Sequence, residues 1–219
     1  MTVFAFFDVD DTLINDKSMF SFMKFWFDQK NNPIGFIRFM DEIKRQKADP
    51  DIPRSEINYW YYSTFEGYKV DEVDAVGQAW FEIMSKKENF LNTNVVNRLK
   101  EHQESGVEPV FVSGSFPVLM RPVAELLGVK HILSANLEIV GDRYTGKLIP
   151  PQTIGFGKGV AIKKFIEGKN SDLDDCFAYG DDISDLSMLK LVGNPWVVKF
   201  EDRLVAHAKK VGWPVLDPR

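Results

Sequence analysis

The chain begins with a short apolar segment that ends abruptly in acidic residues. Residues 3–7 are continuously apolar, and Asp8, Val9 and Asp10 follow them. An uninterrupted apolar run of this length is typical of a strand buried on both faces of a parallel sheet. Side chains two residues apart in an extended chain point the same way, so Asp8 and Asp10 are expected on one side of the strand end. Open α/β sheets bind their ligands at that end, so this segment constrains both the fold and the site.

The remainder of the chain alternates between apolar runs and helical patterns. Further strands are predicted at 107–112, 176–179 and 196–200, with helices at 116–127, 159–166 and 185–191. A β-hairpin is predicted over 137–148, around a turn at Gly141 and Asp142. Strands that alternate with helices predict an α/β fold whose core is a Rossmann-like, doubly wound parallel sheet.

The segment that follows the first strand has a different pattern. Between Lys17 and Lys87, aromatic residues and methionines recur at helical spacing and no strand-like run occurs. Phe20, Met23 and Phe27, for example, are expected on one face of a helix. We therefore predict a helical cap at 16–87, inserted into a core made of residues 1–15 and 88–219.

Composition limits the partners and the compartment. The 27 basic and 32 acidic residues give a net charge of -5, which provides no general attraction for nucleic acid or for an anionic membrane surface. The first apolar run is too short for a signal peptide or a spanning helix, and the single cysteine permits no intramolecular disulfide. We expect a cytoplasmic monomer or homodimer that acts on a small molecule.

The acids after the first strand suit phosphoryl chemistry. A carboxylate such as Asp8 can attack phosphorus, and a second acid such as Asp10 can protonate the leaving oxygen and later activate water. A simpler interpretation is that Asp11 or Thr12 caps a helix at an ordinary strand-to-helix turn. The segment alone does not decide between these interpretations.

Two later segments can bind an anion. Ser113 and Gly114 follow the second predicted strand and offer a hydroxyl and backbone N–H groups, although a Ser-Gly-Ser sequence is also a common turn. Lys158 precedes a predicted helix and can neutralise a phosphoryl group, whereas a lone lysine is usually a solvated surface residue. The positions of these segments beside predicted strand ends favour the anion-binding interpretation.

A third segment offers oxygen ligands for a metal. Asp181, Asp182 and Asp185 follow another predicted strand, and carboxylates with phosphate oxygens are typical ligands of Mg²⁺. The alternative is an acidic loop that caps the next helix. Because parallel strand ends meet at one edge of a sheet, the four segments together predict a single site for phosphoryl transfer.

The order of these segments resembles that of the haloacid dehalogenase superfamily of phosphotransferases over nearly the whole chain. Residues 8–12 resemble its first motif, Ser113 the second, Lys158 the third, and residues 180–182 with Asp185 the fourth. The resemblance implies that Asp8 is the nucleophile and Asp10 the general acid/base. It also implies that Mg²⁺ is bound by Asp8, by the backbone carbonyl of Asp10 and by Asp181.

The inserted segment is similar to the C1-type cap of the phosphoserine-phosphatase-like subfamily, often labelled IB. We expect phosphate to contact Ser113, Gly114, Lys158 and the backbone N–H groups of Val9 and Asp10. Thr12, Asp182 and Asp185 are expected to support these groups from behind.

The cap departs from the pattern of phosphoserine phosphatases. Lys17 stands near the place of their glutamate, and Tyr61 stands near the place of their cap arginine. Phosphoserine is therefore not the expected substrate, and Lys17, Arg54 and Tyr61 are the candidates for substrate specificity. The aromatic run at 59–65 either fills the core of the cap or favours an aromatic or apolar phosphate ester.

We predict a Mg²⁺-dependent phosphatase that hydrolyses a small-molecule phosphomonoester through an aspartyl-phosphate on Asp8. Transfer of the phosphoryl group to another alcohol remains an alternative. A catalytically silent signalling or binding protein is a further alternative. A signalling receiver uses similar groups in the reverse order and has no cap, and dehalogenation requires neither Asp10 nor Mg²⁺.

Overall fold

The structure is a computed structural model that describes residues Met1 to Arg219. Its centre is a six-stranded sheet in the order β3-β2-β1-β6-β7-β8, and every neighbouring pair is parallel. The sheet strands are β1 (Phe4–Phe7), β2 (Glu108–Val112), β3 (His131–Leu133), β6 (Phe177–Gly180), β7 (Asn194–Val198) and β8 (Val215–Leu216). The parallel sheet confirms the predicted α/β class.

Helices cover both faces of this sheet. They are α5 (Thr93–Glu104), α6 (Pro117–Leu127), α7 (Phe156–Ile166), α8 (Leu186–Leu189) and α9 (Asp202–Val211). Ala5 and Phe7 pack in one hydrophobic cluster with residues of α5 and α6, whereas Phe4 and Phe6 pack in a second cluster with residues of α7, α8 and α9. Alternate side chains of β1 are therefore buried on opposite faces, which explains its continuous apolar sequence.

Some predicted boundaries are wrong. The strand expected at 196–200 is β7 and begins two residues earlier, because it includes Asn194 and Pro195, which break the apolar pattern. The helix expected at 185–191 is only α8, preceded by a 3-10 turn at Ile183–Asp185. Strands β3 and β8 were not predicted, since three and two residues are too few to show a pattern.

Four helices lie between β1 and α5: α1 (Ser18–Gln29), α2 (Pro33–Ala48), α3 (Arg54–Ser63) and α4 (Val70–Met84). The face of α1 that is fully buried carries Phe22, Met23 and Trp26, whereas Phe20 and Phe27 are only partly buried. The expected face was therefore wrong in part, because nearly every position of α1 is apolar and the pattern permits more than one choice.

Three of the five aromatic residues at 59–65 fill the interior, whereas Tyr59 is exposed. Tyr61, Tyr62 and Phe65 are buried, and the Tyr62 and Phe116 rings have centroids 5.5 Å apart. Phe116 directly precedes α6, so the four-helix segment and one face of the sheet share a continuous hydrophobic cluster. Burial of this kind orders the segment firmly above the sheet edge.

The predicted hairpin is formed by β4 (Asn136–Val140) and β5 (Arg143–Ile149), which are antiparallel. It joins the four-helix segment through backbone hydrogen bonds: Gly67 N–H donates to the Tyr144 carbonyl at 2.9 Å, and Tyr144 N–H donates to the Tyr68 carbonyl at 3.0 Å. No helix in the structure has both the length and the apolar character needed to cross a membrane.

Candidate active site

The polar segments meet at the carboxyl edge of the sheet. Asp8 follows β1, Ser113 follows β2 and Asp181 follows β6, and these three strands are adjacent. Together with Lys158 and residues of the four-helix segment, they line a cavity of about 520 Å³. The structure therefore brings together the side chains that the sequence placed in four separate segments.

Lys158 links two of the acids. Its Nζ lies 2.6 Å from Oδ1 of Asp8 and 2.6 Å from Oδ1 of Asp185, and all three side chains are buried. Burial opposes the charge of this ammonium, but the carboxylates of Asp185 and Asp8 outweigh that effect and raise the pKa of Lys158 above its usual range. Lys158 therefore remains protonated and fixes Asp8.

Asp185 also shapes the loop after β6. Its Oδ2 accepts hydrogen bonds from the backbone N–H groups of Asp181 at 3.1 Å and Asp182 at 3.2 Å. A Cβ on Gly180 would lie 2.7 Å from this carboxylate, so the close approach requires glycine. The Asp182 carboxylate in turn accepts from the Ser184 N–H at 2.9 Å, which closes a capping box.

The acidic cluster has the composition of a cation site. Asp8, Asp181 and Asp185 each offer a carboxylate oxygen, and these atoms lie within 4.8 Å of one another. Thr12 Oγ1 donates to Asp181 Oδ1 at 2.9 Å. Burial, followed by the charges of Asp8 and Asp185, raises the pKa of Asp181. A set of three carboxylates that has only one ammonium beside it fits a hard divalent cation.

Asp10 lies beside this cluster and is protonated more easily than an ordinary carboxyl. Its Oδ2 accepts from Ser18 Oγ at 3.0 Å, and its Oδ1 is buried without a partner. Desolvation, and then the charge of Asp8, raises the pKa of Asp10 to about 8. A carboxyl that keeps its proton near neutral pH suits a general acid.

Several backbone N–H groups at the site are free to bind an anion. The backbone N–H groups of Val9, Asp10 and Gly114 donate to no protein acceptor. Buried residues flank them, and buried backbone N–H groups are normally paired. The Gly114 carbonyl accepts from the Tyr62 hydroxyl at 2.8 Å, and Ser113 Oγ accepts from the Ser115 N–H at 3.1 Å, so both sides of the loop are fixed. Fixed, unpaired donors of this kind suit a phosphoryl group.

The three specificity candidates all line the cavity, but each already has a protein partner. Lys17 Nζ lies 2.6 Å from Asp11 Oδ2, and Arg54 Nη1 lies 2.9 Å from Asp182 Oδ1 and 3.1 Å from Ser184 Oγ. The buried Tyr61 hydroxyl donates to the Met19 carbonyl at 2.8 Å. Arg54 therefore joins α3 to the loop after β6, and the Tyr61 hydroxyl joins α3 to the backbone of α1.

Three polar residues at the site were not singled out from the sequence: Ser18, Lys47 and Asn58. Ser18 begins α1 and contacts Asp10, and Lys47 and Asn58 line the cavity from α2 and α3. Asn58 is buried, and its Nδ2 donates to Gln152 Oε1 at 3.1 Å. No sequence pattern marks these residues, because their approach to the site depends on how the four helices pack.

Comparison with known proteins identifies the family. The model of the haloacid dehalogenase-like hydrolases matches residues 5–190. A protein of Mycobacterium tuberculosis named as a probable phosphatase is 28% identical over 222 residues, which cover 97% of this chain and 74% of that protein. A phosphoserine phosphatase of the same species is 26% identical over 228 residues, which cover 100% and 72% of the two chains.

Solved structures share the fold. A protein of unknown function from Bordetella pertussis superposes over 100% of both chains with a TM-score of 0.91 and 21% identity. A phosphoserine phosphatase in its apo form superposes over 100% of this chain and 94% of its own, with a TM-score of 0.70 and 17% identity. The family match extends from β1 through the loop after β6, where the acids of the site lie. The chain therefore belongs to the haloacid dehalogenase-like hydrolases, and its fold is similar to that of phosphoserine phosphatase.

Proposed function

We propose that this hydrolase cleaves a small-molecule phosphomonoester in two steps through an aspartyl-phosphate on Asp8. One observation carries the proposal: Asp8 is held by Lys158, while Asp10, two residues away, has a pKa raised to about 8. The contact with Lys158 suits Asp8 to the role of nucleophile, and the raised pKa suits Asp10 to the role of proton donor. Relatives named as phosphatases support the same reaction class.

In the first step an oxygen of Asp8 attacks phosphorus, and the bond between phosphorus and the leaving oxygen breaks. Lys158 engages Oδ1 of Asp8 and leaves the other oxygen for the attack. Asp10 gives its proton to the leaving oxygen, so the product leaves as an alcohol. The N–H groups of Val9, Asp10 and Gly114, with Ser113, would hold the phosphoryl oxygens as charge redistributes.

In the second step Asp10, now ionised, accepts a proton from water as the water oxygen attacks phosphorus. The bond between phosphorus and Asp8 breaks, inorganic phosphate is released, and both carboxyls return to their starting states. Asp8, Asp181 and the backbone carbonyl of Asp10 would hold a divalent cation, for which we propose Mg²⁺. Such an ion supplies positive charge against the phosphoryl oxygens.

We also propose that residues 16–87 act as a cap over a core of residues 1–15 and 88–219. In support, α1, α2 and α3 contribute side chains to the cavity opposite the strand ends. Arg54 connects α3 to Asp182 and Ser184, so an ion pair joins the two walls of the cavity on that side. A cap over the strand ends would limit water near the reacting groups.

The experiment measures alcohol and phosphate release from a panel of phosphomonoesters with Mg²⁺ present. Asp8→Asn is expected to reduce kcat at least about a thousandfold, as for loss of other nucleophiles. Asp10→Asn is expected to impair alkyl esters more than nitrophenyl phosphate, because a good leaving group needs less protonation. Asp175→Asn, at an exposed carboxylate outside the cavity, is the control.

Near-normal turnover by a folded Asp8→Asn variant would exclude the proposed intermediate. A second comparison separates hydrolysis from transfer: equal amounts of alcohol and inorganic phosphate indicate hydrolysis. Release of more alcohol than phosphate in the presence of an added acceptor alcohol would instead indicate a phosphotransferase.

A further inference from the structure

Charge is divided unequally between the two walls of the cavity. The wall built by the strand ends carries the acids of the site, including Asp8 and Asp181. The wall built by the four-helix segment contributes Lys17, Lys47 and Arg54 and no carboxylate. A substrate bound between these walls would thus meet basic groups at the end remote from its reacting phosphate.

Only one of the three cations lacks a carboxylate partner. Lys17 is paired with Asp11 and Arg54 with Asp182, whereas the Lys47 ammonium has no acidic oxygen within ion-pair distance. Lys47 Nζ instead lies 4.8 Å from the centroid of the Phe20 ring, which also lines the cavity. Partial burial, and then the charges of Arg54 and Lys17, lower the pKa of Lys47. An anion bound beside Lys47 would stabilise the charged form of this side chain.

Apolar side chains line the same cavity wall as Lys47, which is itself an exposed residue. Phe20, Ile43 and Ile57 line the same wall, and Ile43 and Ile57 are buried. A leaving group that fits here would place a hydrocarbon or aromatic portion against these residues and a charged end beside Lys47. The phosphate at the other end has its own partners in Lys158 and the free N–H groups.

We propose that the phosphate ester accepted by this cavity carries a second anionic group on its leaving alcohol, and that Lys47, beside Arg54, binds that group. This inference rests on the proposed phosphatase reaction and specifies its substrate class. A carboxylate and a second phosphoryl group share the required chemistry. An ammonium-bearing alcohol is disfavoured, because the four-helix wall offers it three positive charges and no carboxylate.

The test compares phenyl phosphates that differ only in a para substituent of similar size. Ethyl, carboxymethyl, aminomethyl and phosphonomethyl groups supply a neutral, an anionic, a cationic and a more strongly anionic leaving group. In each, a methylene insulates the ring, so the leaving oxygens have similar acidity. The carboxymethyl ester is expected to have about a fivefold higher kcat/KM than the ethyl ester, in keeping with one partly exposed ion pair. The phosphonomethyl ester shows whether a phosphoryl-type group is preferred to a carboxylate.

Variants assign the effect to Lys47. Lys47→Met is expected to raise KM about fivefold for the carboxymethyl ester with little change in kcat, and to change the KM of the ethyl ester by a smaller factor. Lys47→Arg should retain the preference. Lys44→Met, on the same helix but outside the cavity and 73% exposed in its side chain, is the matched control.

Equal kcat/KM values for all esters, or a preference for the ethyl or aminomethyl ester, would overturn this inference and leave the phosphatase proposal intact. A Lys47→Met variant that lowers the turnover of every ester equally would also overturn it. Failure to hydrolyse any ester would instead reject the proposed reaction, and this inference with it.

Discussion

The ammonium nitrogen of Lys158 lies 2.6 Å from Oδ1 of Asp8, a residue 150 positions earlier in the chain. This pairing joins the start of α7 to the end of β1, and the second carboxylate at Asp185 holds the lysine from the other side. The proposed nucleophile is therefore fixed by a buried network. The balance of charge within this network affects stability as well as catalysis.

Lys158→Met is expected to lower the free energy of unfolding by about 3–5 kcal/mol in metal-free buffer, because it leaves buried carboxylates without their cation. Adding Asp185→Asn should recover part of this loss by removing one of those charges, but activity should not return. Urea titrations of the single and double variants measure the effect, with Lys163→Met at an exposed position of α7 as control. Equal stability of Lys158→Met and wild type would contradict the network.

The raised pKa of Asp10 predicts that the metal-free protein loses stability as pH rises. This carboxyl ionises near 3.8 when unfolded but near 8 when folded, so the unfolded state releases its proton first as pH increases. Asp10 then destabilises the fold progressively across that window, by up to about 1.4 kcal/mol per pH unit. Urea titrations from pH 4 to pH 8 in EDTA should give a flatter pH dependence for Asp10→Asn than for wild type. Parallel curves would show that Asp10 is ionised in the fold.

Asp181 provides a test of the metal site that does not depend on activity. Mg²⁺ should raise the Tm of wild type, because a ligand that binds only the folded state stabilises it, by about 2.7 kcal/mol at a hundred times its Kd. Asp181→Asn should require at least about tenfold more Mg²⁺ for the same rise. Asp175→Asn should behave like wild type. An unchanged Mg²⁺ dependence in Asp181→Asn would remove this residue from the site.

The strand ends were the most predictable part of the molecule. Val110, Phe111 and Val112 are buried in β2 directly before Ser113, just as the apolar run at 3–7 leads to Asp8. Parallel strands buried on both faces leave this pattern in a sequence, and polar residues at their ends meet through the topology alone. The grouping of Asp8, Ser113 and Asp181 thus followed from local patterns, whereas Lys158 lies in the first turn of α7 and not at the end of a sheet strand.

The four-helix wall was less predictable, because its contributions depend on tertiary packing. The aromatic residues of α1 and α3 fit several helical faces, and only packing distinguishes the buried Trp26 from the partly buried Phe27. Lys47 and Lys44 are similar lysines on one helix, yet only Lys47 lines the cavity. Arg54 was expected to face substrate, and its pairing with Asp182 arises from contact between segments distant in sequence.

Ser18 gives the sharpest test of how Asp10 is tuned. Its Oγ donates to Asp10 Oδ2 at 3.0 Å and lies 3.2 Å from Ser115 Oγ, so it connects the proposed acid to the loop after β2. This hydrogen bond stabilises the ionised form and partly offsets the desolvation that raises the pKa. Ser18→Ala should therefore move the pKa of Asp10 further upward, by about 0.5–1 unit.

Because Asp10 acts first as an acid and then as a base, both limbs of the kcat pH profile should shift upward by a similar amount in Ser18→Ala. The effect is measured on an alkyl phosphate, whose leaving oxygen needs protonation. Ser63→Ala removes an exposed serine hydroxyl that bonds only to the Trp60 carbonyl, and should leave the profile unchanged. A reduced kcat in Ser18→Ala with an unshifted profile would mean that Ser18 only positions α1 and does not tune Asp10.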